Sequence, residues 1–346
     1  MRRIILTFCL LLTLIFPVSA LDYTAPEAPE DVQDMMPAEQ DSFAKGLWKV
    51  ITTAIGTLQP EVAEAAKVCV SLIAIVILTA MLRQLPGGSV HVVELVGCLA
   101  IALLLLTRTN TLIRLGADTV SRISDYGKLL LPVLTGAMAA QGGVTSSAAL
   151  YAGTAAFDAV LSEGITRLLV PMVYMYLVLA IGACVVGDGM VSKLRDLVKW
   201  LMSWGLKIIL YIFTGYMSIT GVVSGTTDAA TMKAAKLTIS GMVPVVGGIL
   251  SDASESVIVG VGIMKSAAGV YGLLAILAIW ITPFLQLGTQ YLLLKLTGAV
   301  CAVFEVKQVS ALIKAFSVAM GLLLAMTGSV CFLLLISIVC FMKGVG

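Results

Sequence analysis

Charge is scarce in this chain, with 22 Lys and Arg and 20 Asp and Glu among 346 residues, or 12% in all. Soluble domains carry about a quarter of their residues charged, so this scarcity, beside a 59% hydrophobic content, excludes an ordinary soluble domain. Histidine is scarcer still: His91 stands alone beside a turn and reads as an interfacial residue. One imidazole with no Gly-x-Ser-x-Gly elbow argues against a Ser-His nucleophile site. Seven cysteines (Cys9, Cys69, Cys98, Cys184, Cys301, Cys331 and Cys340) lie in apolar runs with no Cys-x-x-Cys pair. They read as small buried hydrophobes rather than as a disulfide framework or a metal site. Short strands of alternating polarity, the mark of a membrane β-barrel, are missing. The net charge of +2 hides a strongly acidic N-terminal tail and a correspondingly basic membrane region, a split that suits a membrane rather than nucleic acid. The run Gly260-Val-Gly-Ile-Met-Lys265-Ser266 lacks the glycine that precedes the lysine of a phosphate loop and lies in apolar sequence. The chain is therefore expected to be no enzyme and to hold no cofactor.

What is abundant is apolar sequence in runs long enough to cross a bilayer, for which about 20 residues suffice. The expected fold class is an all-α polytopic membrane protein. Residues 1–20 read as a signal peptide, with an uncleaved first membrane helix as the alternative: Arg2 and Arg3 lead, Ile4 to Phe16 form the apolar stretch, and Val18-Ser19-Ala20 offer a cleavage site after Pro17. Leu21 to Asp41 holds seven acidic residues, no basic ones, and Pro26, Pro29 and Pro37. Too poor in apolar residues to fold alone, it is expected to be a disordered leader outside the cytoplasm. Residues 42–67 alternate charge with Trp48, Val50, Ile51, Ile55 and Leu58 and read as an amphipathic juxtamembrane helix, on the membrane surface or packed on the protein.

The membrane domain spans 68–346. About six crossings are expected, at 68–82, 92–106, 168–186, 201–223, 272–296 and a final helix at 316–341. Between them, Arg114, Asp118 and Arg122 step by four and share one helical face, with Ile113, Leu115 and Ile123 elsewhere. Basic stretches at Lys193, Arg195 and Lys199, and at Lys307 and Lys314, suit the cytoplasmic side.

The two halves resemble each other. Leu131-Pro-Val-Leu returns as Val243-Pro-Val-Val, and Val170-Pro-Met-Val as Thr282-Pro-Phe-Leu, each proline at an offset of 112 residues (132 to 244, 171 to 283). Approximate repeats at 92–200 and 201–314 follow. Such duplication is common in transport proteins. In each copy a short apolar segment ends in a polar glycine break and a second short segment follows. Pro132, Gly142 and Gly143 in the first copy, and Pro244, Gly247 and Gly248 in the second, are the candidate backbone breaks of two short, re-entrant helix pairs. Irregular backbone at that depth survives only where protein or a water-filled cavity satisfies it. Asp252 and Glu255 have capping-box spacing, which starts a helix. With Lys265 they are also candidates for a pore-lining or partner-facing role. Asp158 and Glu163 hold similar positions in the first copy.

The block Met242-Val-Pro-Val-Val-Gly-Gly-Ile-Leu-Ser-Asp-Ala-Ser-Glu-Ser-Val-Ile, continuing to Lys265-Ser-Ala-Ala-Gly-Val-Tyr-Gly, closely resembles the stage III sporulation protein AE family. The segment from Leu131-Pro-Val-Leu to Thr145-Ser-Ser-Ala, the signal peptide and the acidic leader extend the resemblance. It implies a multi-pass protein of the mother-cell membrane around the forespore. The implied role is membrane subunit of a secretion-like channel complex needed for forespore development. The implied partners are the other stage III sporulation A proteins, including the ATPase and the ring-forming subunits, and indirectly stage II sporulation protein Q. The family carries no established catalytic residues over to this chain. The alternative is a stand-alone secondary transporter that uses its duplicated repeats for alternating access.

Overall fold

The computed structural model describes residues 25–37, 43–85, 90–140, 144–187, 189–219 and 267–344. Those residues form helices alone: α1 (Glu30–Gln33), α2 (Phe43–Leu82), α3 (Val90–Ala140), α4 (Val144–Gly164), α5 (Val170–Val186), α6 (Gly189–Ile219), α7 (Ala267–Ala302) and α8 (Lys307–Gly344). Six stretches among them are long and apolar enough to cross a bilayer: Phe43–Leu82, Val90–Ala139, Ser147–Val186, Gly189–Met217, Ala268–Ala302 and Lys307–Met342. Among the described residues the protein is an all-α, six-span membrane helical bundle.

The α7–α8 hairpin is its axis. From Ala315 to Met342 no residue of α8 is exposed, and α7 is covered from Ala268 to Tyr291. Close approach is made possible by glycine: a Cβ on Gly127 of α3 would meet Leu334 of α8 at 2.7 Å, and one on Gly272 of α7 would meet Leu130 at 2.5 Å. Helices α2 and α7 run parallel, Gly46 lying against Leu274 near one end and Glu61 level with Gln290 through their shared partner Arg108.

Several expectations change. Residues 92–106, 107–128 and 129–140, expected as a span, a charged stretch and a short segment, form the single helix α3 of 51 residues. Charged residues at helical spacing propagate a helix as well as apolar ones do. Pro132 does not end it: it lies on the exposed face, where the carbonyl that its ring leaves without a donor has access to solvent. Residues 42–67 are likewise no separate surface helix, because α2 runs unbroken to Leu82 through Pro60, also exposed. At Pro171 the chain responds differently. One widened π turn, Ile165–Leu169, joins α4 to α5 just ahead of the proline, the insertion by which a helix absorbs such a ring. The second expected re-entrant pair as far as residue 266, the break at Gly142 and Gly143, and the signal peptide lie outside the described residues.

The acidic leader is the largest difference. Its described part, 25–37, is packed, with Ala28, Val32, Met35 and Met36 all buried. Tyr126 donates to the Pro26 carbonyl at 3.0 Å, the Ala28 amide donates to the Tyr271 hydroxyl at 3.3 Å, and Lys49 donates to the Met36 carbonyl at 2.6 Å. Arg122 pairs with Asp31. The segment has too few apolar residues for a core of its own, but it lends them to the core of the bundle. The cysteine expectation also needs correction: Cys98 of α3 and Cys184 of α5 form a disulfide, their Cα atoms 6.2 Å apart. These residues are 86 positions apart and meet because α3 and α5 pack side by side, which spacing alone does not reveal.

Two of the turns share a feature. Gly187, after α5, has φ +69°, and Glu305, between α7 and α8, has φ +58°, both left-handed. A side chain is disfavoured there by about 1–2 kcal/mol. Gly187→Ala is thus expected to lower stability in detergent by about 1 kcal/mol and Glu305→Gly to raise it by a similar amount. Paired thermal or denaturant unfolding curves check this; equal shifts of one sign would refute it.

Candidate functional site

Polar side chains gather where apolar helices would otherwise pass each other. Arg108, just beyond the apolar first third of α3, is mostly buried and ties three helices together. It bonds Glu61 of α2 at 2.9 Å, Glu64 of α2 at 2.8 Å and the Gln290 amide oxygen of α7 at 3.2 Å. Glu61 and Glu64 sit one after the other on the same face of α2 because their spacing is three. Gln290 is buried, so its bond to the guanidinium satisfies a group that would be expensive to leave unpaired. Two residues on, Tyr174 of α5 donates to the Asn110 side chain at 2.6 Å.

Arg83, at the end of α2, pairs with Glu94 of α3 at 3.2 Å and donates to the Glu305 carbonyl at 3.2 Å. It thereby links the α2–α3 turn to the α7–α8 turn. At the opposite end, α3 and α4 enclose a third cluster. Asp158 is buried, and its Oδ2 accepts from the Ser124 hydroxyl at 2.6 Å. The Ser162 hydroxyl lies 3.3 Å from that of Ser124. Beyond these serines an open pocket of about 170 Å³ is lined by Ser121, Asp125, Lys128, Glu163, Thr166 and Arg167 as well as the two serines. Thr154, one turn before Asp158, bonds Ser337 of α8 at 3.0 Å.

Among the residues expected to matter, Pro132 lies within α3, where the helix continues through it. Asp252, Glu255, Lys265, Pro244, Gly247, Gly248, Gly142 and Gly143 lie outside the described residues. Arg114 and Asp118 are exposed on α3 while Ile113 and Ile123 are buried, in accord with their four-residue steps. Sequence reasoning passed over Arg108 with its partners and over Ser124. A signal was present for the first: Glu61 and Glu64 are carboxylates at helical spacing beside a long apolar run, and Arg108 ends another. Nothing in the sequence joins Ser124 to Asp158, which the packing of α3 against α4 brings together.

A family model described as stage III sporulation protein AE matches residues 30–344. The stage III sporulation protein AE of Bacillus subtilis (strain 168) is 22% identical over 202 residues, covering 58% of this chain and 51% of that protein. The chain therefore spans about half the length of the curated relative it matches. No solved structure matches.

The Arg108 cluster makes a ranked expectation. Arg108 has 19% of its side chain exposed, Glu61 37% and Glu64 66%. Water screens the more exposed pair, so a double-mutant cycle of Arg108→Ala with Glu61→Ala should give a coupling of about 1 kcal/mol and the cycle with Glu64→Ala distinctly less. Unfolding in detergent measures both. A larger coupling for Glu64 would show that the arrangement is not the one that holds the three helices.

Proposed function

Since the chain belongs to the stage III sporulation protein AE family, we propose that it is a membrane-embedded subunit of the sporulation channel complex that links mother cell and forespore and is needed for forespore development. The observation that carries this reading is the family match over nearly the whole chain, 30–344, on a six-span bundle. The subunit acts without catalysis of its own, as part of the membrane platform. Its partners are the other stage III sporulation A proteins, with the ATPase as the source of energy and the ring-forming subunits as the link to stage II sporulation protein Q. The membrane is that of the mother cell around the forespore.

The surface supports a placement in the bilayer. Most of the exposed large apolar side chains lie toward the end that carries the α2–α3, α5–α6 and α7–α8 turns: Ile77, Met81, Val96, Leu103, Val178, Leu197 and Leu296 are examples. An exposed apolar band is what lipid solvates. At that end also lie Arg83, Lys193, Arg195, Lys199, Lys307 and Lys314, the excess of positive charge expected of a cytoplasmic side. The opposite end, with the docked leader and the exposed polar face of α3, then lies outside the cytoplasm. A helix of 51 residues is about 75 Å long against a hydrocarbon core of about 30 Å, so α3 extends well beyond the lipid on that side. The approximate duplication supplies two similar helical units.

Tagged protein purified from sporulating cells should bring down other stage III sporulation A proteins, and its deletion should arrest forespore development. Purified protein in liposomes that moved a solute against an ion gradient unaided would favour the transporter instead. Cysteines placed at Arg114 and at Lys193 should react with impermeant reagent from opposite sides of the membrane; reaction from one side would overturn the placement.

A further inference from the structure

We infer that Asp158 is a proton-binding site, loaded from the pocket between α3 and α4. The inference is independent of the assigned complex. Asp158 is 2% exposed, and of its two oxygens only Oδ2 has a partner, the Ser124 hydroxyl. Oδ1 is buried and bonded to nothing. A carboxylate sealed in that way would carry an uncompensated charge, a penalty of several kcal/mol; one proton on Oδ1 removes it.

Among the described residues, the neighbours do not offer another cation. Lys128 is engaged by Asp125 at 2.8 Å and Arg167 by Glu163 at 3.6 Å, so the two basic groups of the pocket are held by its two acidic ones. Helices α6 and α8, which also pack on α4, bring no charge to this level: α6 has none from Ile208 to Ile219, and α8 none between Lys314 and Lys343. A metal ion with its shell of oxygen ligands needs space at the open oxygen. The pocket stops short of it, being lined by Ser124 and Ser162 but not by Asp158. A proton needs no such space. It moves from pocket water to Oδ1 past the two serine hydroxyls, while Ser124 continues to donate to Oδ2, and the only charge change is the loss of one negative charge on the carboxyl.

The arrangement gives the contact between α3 and α4 two electrostatic states. With the proton, the helices close on a neutral group. Without it, an anion sits in the seam with one donor, and the same contact is weakened.

Dicyclohexylcarbodiimide, which attacks protonated carboxyls in sheltered sites, tests this on the full-length protein in detergent, with peptide mass spectrometry as readout. Asp158 should be modified while the exposed Asp125 and Glu163 are not, and the modification should vanish in Asp158→Asn. Labelling should fall roughly tenfold for each pH unit above its midpoint, and replacing choline chloride by sodium chloride should leave it unchanged. Ser124→Ala removes the hydroxyl that supports the anion, so its midpoint should move to higher pH, a shift that a purely structural serine would not produce. No modification of Asp158 in folded protein at any pH would overturn the inference. Protection by sodium equal to that of raised pH would overturn it as well, by making the site one for a metal ion.

Discussion

Helices α7 and α8 have almost no surface of their own over most of their length, and this constrains every other element. A pair so apolar requires cover on all sides, and α2, α3, α4, α5 and α6 supply it. Within lipid, apolar side chains gain little by leaving one hydrocarbon for another, so packing there depends on close approach and on hydrogen bonds. The hairpin has both: Gly321 lies against Tyr291, Ser317 donates to the Tyr291 carbonyl at 3.1 Å, and Ser310 to the Gly298 carbonyl at 3.2 Å. Beyond the lipid, where water is the solvent, the same apolar surfaces are driven together directly. One axis thus serves two solvents, and the polar ties at Arg108 and Arg83 hold its outer helices in register.

That division explains the distribution of charge along α3. Its first third faces outward with Val92, Val96, Leu99 and Leu103. From Asn110 to Lys128 its exposed positions are polar, including Arg114, Asp118, Ser121, Asp125 and Lys128. The helix changes its outward chemistry while keeping its inward face apolar, and so can pass from one solvent to the other without a break.

The sequence carried much of this and withheld some of it. Apolar runs and their charged ends gave the six crossings, because lipid imposes a length on each. The inward and outward faces of α3 were legible in the four-residue steps from Arg114. The unity of α2 and of α3 was not, since a rule that ends a span at a charge does not say whether the helix ends there too; at Lys67 and Arg108 it does not. The docking of the leader was hidden for another reason. Its own composition argues against a core, and only the groove formed by distant helices gives Val32 and Met35 somewhere to go. The Cys98–Cys184 and Ser124–Asp158 pairs belong to the same class, being contacts between helices with no trace in local spacing.

The leader strap has a consequence for the birth of the molecule. It leaves the ribosome well ahead of its partner, since the Tyr271 hydroxyl that receives its Ala28 amide is 243 residues further along. At about 5–20 residues per second, that tyrosine is made about 12 to 50 seconds later. Through that interval Val32, Met35 and Met36 have no finished berth. The earlier-made piece waits for the later-made one, and its seating reports that α7 has arrived.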